Sequence, residues 1–213
     1  MSRNKLKAKE RKSGKRSYLK LFIIIVEGET EEQYFKQEIF RNKRIKLISS
    51  IGKNSDPESL IRATDVKARQ EKLITGDQVW IVLDRDEQGN QRSKREKLRK
   101  VVDWQAKDDS RGIAFSSPQF EYWLLLHYEK GTGVTTKKDC LEKLKKHHNG
   151  RYKKNVQFSY SREEIYQACE HSKERLSQLG ISATNMRETI DKDHSGYSTV
   201  HVLVEEILDS MQL

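Results

Sequence analysis

The sequence of 213 residues has no long apolar run. Its most hydrophobic stretch, "LFIIIV" from Leu21 to Val26, stops at Glu27, too short for a signal-peptide core or a membrane span. Cysteine is scarce: Cys140 and Cys169 stand apart with no CxxC or Cys/His spacing, which argues against a zinc knuckle and a secreted disulfide framework and points to the cytoplasm. The histidines, among them His127, His147 and His148, show no HExxH or paired-ligand spacing. There is no nucleophile-elbow signature, so the Asp, His and Ser of "DKDHSGYSTVH" read as a loop and helix start, not a triad. A GxxxxGK[ST] phosphate loop and internal repeats are missing too, so any ATP use would belong to a partner.

Apolar residues make up 34% of the chain and charged ones 35%, so a core has to come from a few well-patterned segments. The net charge is +10, but Met1 to Lys20 holds nine Lys or Arg against one Glu, and the rest carries only +2. Such a tail cannot bury apolar surface; it either stays a solvated coil or holds a polyphosphate backbone through counterion release.

"YLKLFIIIV" is β-branched, aromatic and apolar without alternation, the pattern of a strand buried on both faces of a parallel sheet. Thr30 can cap a following helix with Glu31 and Glu32 in its first turn. "RIKLISS" reads as a second strand, and Asp56-Pro57 opens a helix to about Leu73. "QVWIVLD", Gln78 to Asp84, is the third strand, followed by a helix carrying Leu98, Val101, Val102 and Trp104 on its apolar face. "GIAFS" is a fourth strand, and Ser117-Pro118 begins an apolar helix, "PQFEYWLLLHYE". Beyond Lys130 come helices in "KKDCLEKLKKHH", "SREEIYQACEHSKERLSQLG" and "STVHVLVEEILDSMQL", joined by polar connections that include "ISATNMRETIDKDHSGY". Alternating strands and helices predict an α/β, mainly parallel sheet with helices on both faces, plus a helical C-terminal region. The organisation is a tail over 1–17, an α/β core over 18–130, and a mainly helical extension over 131–213 packing on it.

Acids fall at the carboxyl ends of the strands, where open α/β sheets bind ligands. Glu27 ends the first strand, with Glu31 one helical turn beyond it; Asp84 and Asp86 end the third; Glu121 follows the fourth. A single acid in a first helical turn is explained by the helix dipole. Asp84 and Asp86, one residue apart after "VWIVL", would repel each other unless a cation neutralised them. Several hard oxygen ligands suit Mg²⁺ or Mn²⁺, and such an ion serves phosphoryl transfer. Gly28 would let the backbone pass close to ligand, and Arg85 is either a phosphate contact or a surface ion pair. The runs "RSKREKLRK", with Lys94 and Arg95, and "KLKKHHNGRYKK", with Lys153 and Lys154, are solvated basic faces or a nucleic-acid channel bordering the acids. Tyr152 and Phe158 would then stack a base or pack internally.

"IIIVEGETE" and "VWIVLDRDE" resemble the TOPRIM signature of a glutamate after the first strand and Asp-x-Asp after a later one. More closely, "IIIVEGETEEQYF", "QVWIVLDRDE" and "SSPQFEYWLLLHYE" resemble the RloB family of small TOPRIM proteins linked to restriction loci and abortive phage infection, with Ser117 where that family usually has Asn. The resemblance implies a Rossmann-like TOPRIM fold and a metal-dependent nuclease of antiphage defence acting on DNA or RNA, often beside an ATPase. Glu27, Asp84 and Asp86 would be the catalytic metal ligands, Glu31 and Glu121 their support. The alternative is a non-catalytic nucleic-acid- or ATPase-binding subunit that keeps the acids for a structural ion or partner contacts.

Overall fold

A computed structural model describes residues 19–52, 56–85, 91–152, 159–192 and 194–212, with the backbone alone for 91–94. The tail over 1–17, Asp86, Lys153, Lys154 and Phe158 therefore lie outside the described residues.

The strands are β1 (Lys20–Val26), β2 (Ile45–Ile51), β3 (Gln78–Asp84), β4 (Arg111–Ser117) and β5 (Tyr197–Ser198). They form one sheet in the order β2-β1-β3-β4-β5, parallel except for β5, which runs antiparallel to β4. The helices are α1 (Glu29–Phe35), α2 (Pro57–Glu71), α3 (Gln91–Gln105), α4 (Glu121–Leu125), α5 (Lys137–His147), α6 (Arg162–Leu179), α7 (Met186–Asp191) and α8 (Val200–Gln212).

The non-alternating apolarity of β1 has a direct cause. Phe22, Ile24 and Val26 enter a core layer with α1, α4, α5, α6 and α8, while Leu21, Ile23 and Ile25 enter another with α2, α3 and α7. Each of these six side chains is at most 2% exposed. At about 1.5–3 kcal/mol per buried side chain, β1 contributes on the order of 10 kcal/mol, enough to hold a strand whose end carries an acid.

Several details depart from the sequence reading. Thr30 lies inside α1, and the helix starts from Gly28, which makes no side-chain cap. Pro57 takes the first turn of α2 as expected, with Asp56 at the N-cap position and its carboxylate also reaching Lys97 Nζ at 2.8 Å. The helix expected from Pro118 begins only at Glu121, because Gln119 and Phe120 first turn the chain over the sheet edge; the Ser117–Pro118 peptide is cis. The connection "ISATNMRETIDKDHSGY" contains α7, capped by the Asn185 side chain and buried through Met186 and Ile190. The C-terminal region is largely helical, yet it returns β5 to the sheet and packs α8 against β4. Gly180 ends α6 in the left-handed conformation, φ 59°, as its position predicts. No helix among the described residues is long and apolar enough to cross a membrane.

The chain moves from β1 outward to β2, then crosses back to β3 on the other side of β1. The gap between β1 and β3 is thus the topological switch point, where an open parallel sheet leaves a crevice at its carboxyl edge.

Candidate functional site

Glu27 and Asp84 stand at that switch point, at the ends of neighbouring parallel strands. The Asp84 backbone N–H approaches Glu27 Oε1 at 3.4 Å, which links the two strand ends. Gly28 then leads into α1, and a Cβ placed on it would sit 3.1 Å from Glu31 Oε2. The missing side chain leaves room for Glu31 to fold back toward β1. Glu31 is 5% exposed and Glu121, the first residue of α4, is 3% exposed. The backbone N–H of Phe120, just before α4, partly offsets the push on the Asp84 carboxyl by favouring its charged form.

Four carboxylates converge here. Burial pushes the Asp84 carboxyl well above the usual range, and the charges of Glu31, Glu27 and Glu121 push it further, in that order. Asp84 Oδ1 is buried and has no hydrogen-bond partner among the described residues. An enclosed carboxylate oxygen facing like charges is costly unless a cation or proton neutralises it. The donors these side chains offer are all oxygen, the ligand type that hard divalent cations take. The oxygens do not yet form a closed shell: among the described residues, no group of three or more His, Cys, Asp or Glu side chains is placed to hold a metal ion. Asp86, the remaining expected ligand, is outside the described residues.

Two residues that the sequence did not tie to the acids stand near the same site. Buried Cys140 of α5 lies in the field of Glu121 and Asp84; burial chiefly, then these charges, push its thiol up. Tyr152 is 4% exposed and packs inward, with its phenol pushed up first by burial and then by Glu121. Of the two uses open to Tyr152, internal packing is the one observed. Helical spacing of Cys140 and Leu144 was the available signal for a buried α5 face; nothing local marked its proximity to the acids.

The expected cationic residues divide. Arg85 is buried, and its Nη1 donates to the backbone carbonyls of Lys192 at 2.7 Å and His194 at 2.9 Å. It clasps the end of β3 to the segment before β5. The run with Lys94 and Arg95 lies in α3, whose cations meet acids of neighbouring helices: Lys97 pairs with Asp56, Lys100 with Glu58, and Arg99 with Asp191 at 3.0 Å. In the other run, Lys143 and His147 both reach Glu129, at 2.7 and 3.0 Å. In the first helix, Glu32 pairs with Lys36 at 2.9 Å and Glu29 is exposed, so neither joins the cluster.

His127 is a core histidine. Its Nδ1 lies 3.1 Å from the Trp123 carbonyl, which can only accept, so Nε2 receives the Tyr34 hydroxyl at 3.2 Å. Tyr160 stacks on the ring at 3.9 Å, and burial lowers the pKa of His127 to about 3. His194 uses its backbone carbonyl to accept from Arg85 and from Ser117 Oγ, a loop-tethering role and not that of a triad member.

No curated protein and no solved structure matches the chain. The model of the family described as RloB-like protein matches residues 22–207, from β1 into α8 and so across both core layers and the four converging acids. The chain belongs to the RloB-like family.

Proposed function

We propose that this protein is a divalent-metal-dependent phosphodiesterase of the TOPRIM type that cleaves nucleic acid, DNA or RNA, in antiphage defence. One observation carries the reading: Glu27, Glu31, Asp84 and Glu121 converge at the switch point of the sheet, with Asp84 pressed by the other three charges. These four, with Asp86, would hold Mg²⁺ or Mn²⁺. A bound divalent ion polarises a phosphoryl oxygen and lowers the pKa of an attached water. The chain's own work is positional. The Phe120 N–H favours the charged form of Asp84, the room left at Gly28 lets Glu31 return, and buried Tyr152 packs beside Glu121 and Glu31. The defence setting and a partner ATPase rest on the family resemblance.

Defined DNA and RNA oligonucleotides incubated with Mg²⁺, Mn²⁺ or chelator test this reading. Cleavage should require the metal and fall at least a hundredfold in both Asp84→Ala and Asp86→Ala. Equal cleavage by wild type and Asp84→Ala would assign the activity to a contaminant.

The second reading, a non-catalytic nucleic-acid- or ATPase-binding subunit, draws on the absence of a closed ligand group among the described residues. It expects the carboxylate variants to protect cells from phage as wild type does, and protection to be lost on deleting residues 1–20.

A further inference from the structure

Of the two basic runs, one has three of its described cations paired by the fold. Lys97, Arg99 and Lys100 of α3 are clamped to Asp56, Asp191 and Glu58. In the other, Lys145, Lys146 and Arg151 are exposed and make no ion pair or hydrogen bond through their side chains with any described residue. Three cations within seven positions, none paired among the described residues, repel one another, a cost that a polyanionic ligand would relieve.

The local backbone holds the three together. Helix α5 ends in a Schellman-type turn: Gly150 N–H bonds to the Lys145 carbonyl at 2.8 Å and Asn149 N–H to the Lys146 carbonyl at 3.4 Å. Asn149 takes φ 52°, the left-handed conformation that this turn requires. Arg151 N–H then bonds to the His148 carbonyl at 2.9 Å, which keeps Arg151 at the helix end beside the two lysines.

The inner side of the same segment borders the carboxylates. Cys140, Leu144 and Tyr152 are buried in the core layer that holds Trp123 of α4, and Gln119, two residues before Glu121, donates to the Lys137 carbonyl at 3.3 Å. The fields of Glu121 and Asp84 at Cys140, and of Glu121 and Glu31 at Tyr152, agree with that placement. The segment is one wall of the acid site, with cations on its outer side.

We propose that the end of α5 and its turn, through Lys145, Lys146 and Arg151, form the surface that takes the sugar-phosphate backbone of the nucleic acid brought to the carboxylates. This assignment rests on the phosphodiesterase reading for its ligand class, and it names a docking surface that reading leaves open. A polyphosphate approaching four carboxylates is repelled; cations on the adjacent wall offset that repulsion before the scissile group arrives. A membrane surface is the poorer fit, because among the described residues none of the exposed large apolar side chains, Leu19, Ile51, Val66, Ile74 and Tyr166, lies in this segment.

The test is fluorescence anisotropy of labelled single-stranded DNA and RNA in chelator, where binding needs no turnover. The proteins are wild type, Lys145→Gln/Lys146→Gln/Arg151→Gln, Arg151→Gln alone and, as control, Lys97→Gln/Lys100→Gln, each checked for native circular dichroism. The triple variant should bind at least tenfold more weakly, with a salt dependence shallower by about two, as expected for three lost phosphate contacts at about 0.7 each. Arg151→Gln should fall between, and the control should match wild type. Equal binding by the triple variant overturns the proposal, as does wild type that binds neither oligonucleotide or that prefers anionic vesicles. Intact binding with no metal-dependent cleavage by wild type would instead count against the phosphodiesterase reading and leave the docking surface standing.

Discussion

Replacing Asp84 by Asn should make the metal-free protein more stable while removing its response to metal. Asp84 Oδ1 is buried without a partner among the described residues, and the carboxyl is pressed by Glu31, Glu27 and Glu121. An unsatisfied buried polar group costs about 1–3 kcal/mol, and the like charges add to that. Asn keeps an acceptor for the Phe120 N–H, loses the negative charge, and can turn its amide toward the neighbouring acids. The gain is therefore about 1–3 kcal/mol, or about 3–10 °C in Tm for a chain of this size. Thermal unfolding followed by circular dichroism in chelator measures it. Repeating the melt with Mn²⁺ at about a hundred times its Kd should raise wild type by about 2.7 kcal/mol in stability and leave Asp84→Asn nearly unmoved. A lower Tm for Asp84→Asn in chelator would refute the reasoning, because Asp84 would then be a satisfied structural acid and not a strained ligand.

Arg85→Met should cost about 2–4 kcal/mol in urea unfolding, since two carbonyls, Lys192 and His194, lose a charged donor inside the fold. Asp77→Ala should cost a similar amount, because the buried carboxylate accepts the Leu21 and Ile74 backbone N–H groups, each at 2.9 Å, at the opposite end of the sheet from the acids; its cleavage rate per folded molecule should not change. Ser161→Ala should cost about 1 kcal/mol, through loss of the capping box in which Ser161 and Glu164 satisfy each other's backbone N–H groups. His127 and His201, held to pKa values of about 3 and about 4, should show ring NMR shifts that stay flat from pH 8 to 5. Because the unfolded chain takes up those protons near pH 6.5, the two histidines withdraw stability as pH falls below that value.

The strands that carry the site were legible because their physics is local. β1 and β3 are buried on both faces, and such a strand shows itself as a short unbroken apolar run whatever its neighbours do. The acids at their ends were legible for the same reason: a charge directly after such a run marks where the strand reaches the edge of the sheet. Less visible was anything decided by packing across the chain. β5 spans two residues, too few for a pattern, and exists because Ser116 and Ser117 of β4 pair with Ser198 and Tyr197. Helix α7 carried a weak signal, Met186 and Ile190 one turn apart after Asn185, hidden in a polar stretch. The role of Arg85 was illegible, since its carbonyl partners lie more than a hundred positions away. The two basic runs look alike as sequence, and the placement of Asp56, Glu58 and Asp191 is what pairs Lys97, Lys100 and Arg99 of the first.

Calorimetric titration of Mn²⁺ into the purified protein tests the central claim, that the converging carboxylates form a divalent-cation site, without depending on the substrate. Wild type should bind Mn²⁺ saturably, with the affinity of Glu27→Gln and Asp84→Asn reduced at least tenfold and that of Glu29→Gln, an exposed neighbour outside the cluster, unchanged. Binding that is equal in all four proteins, or undetectable in wild type, would contradict the account.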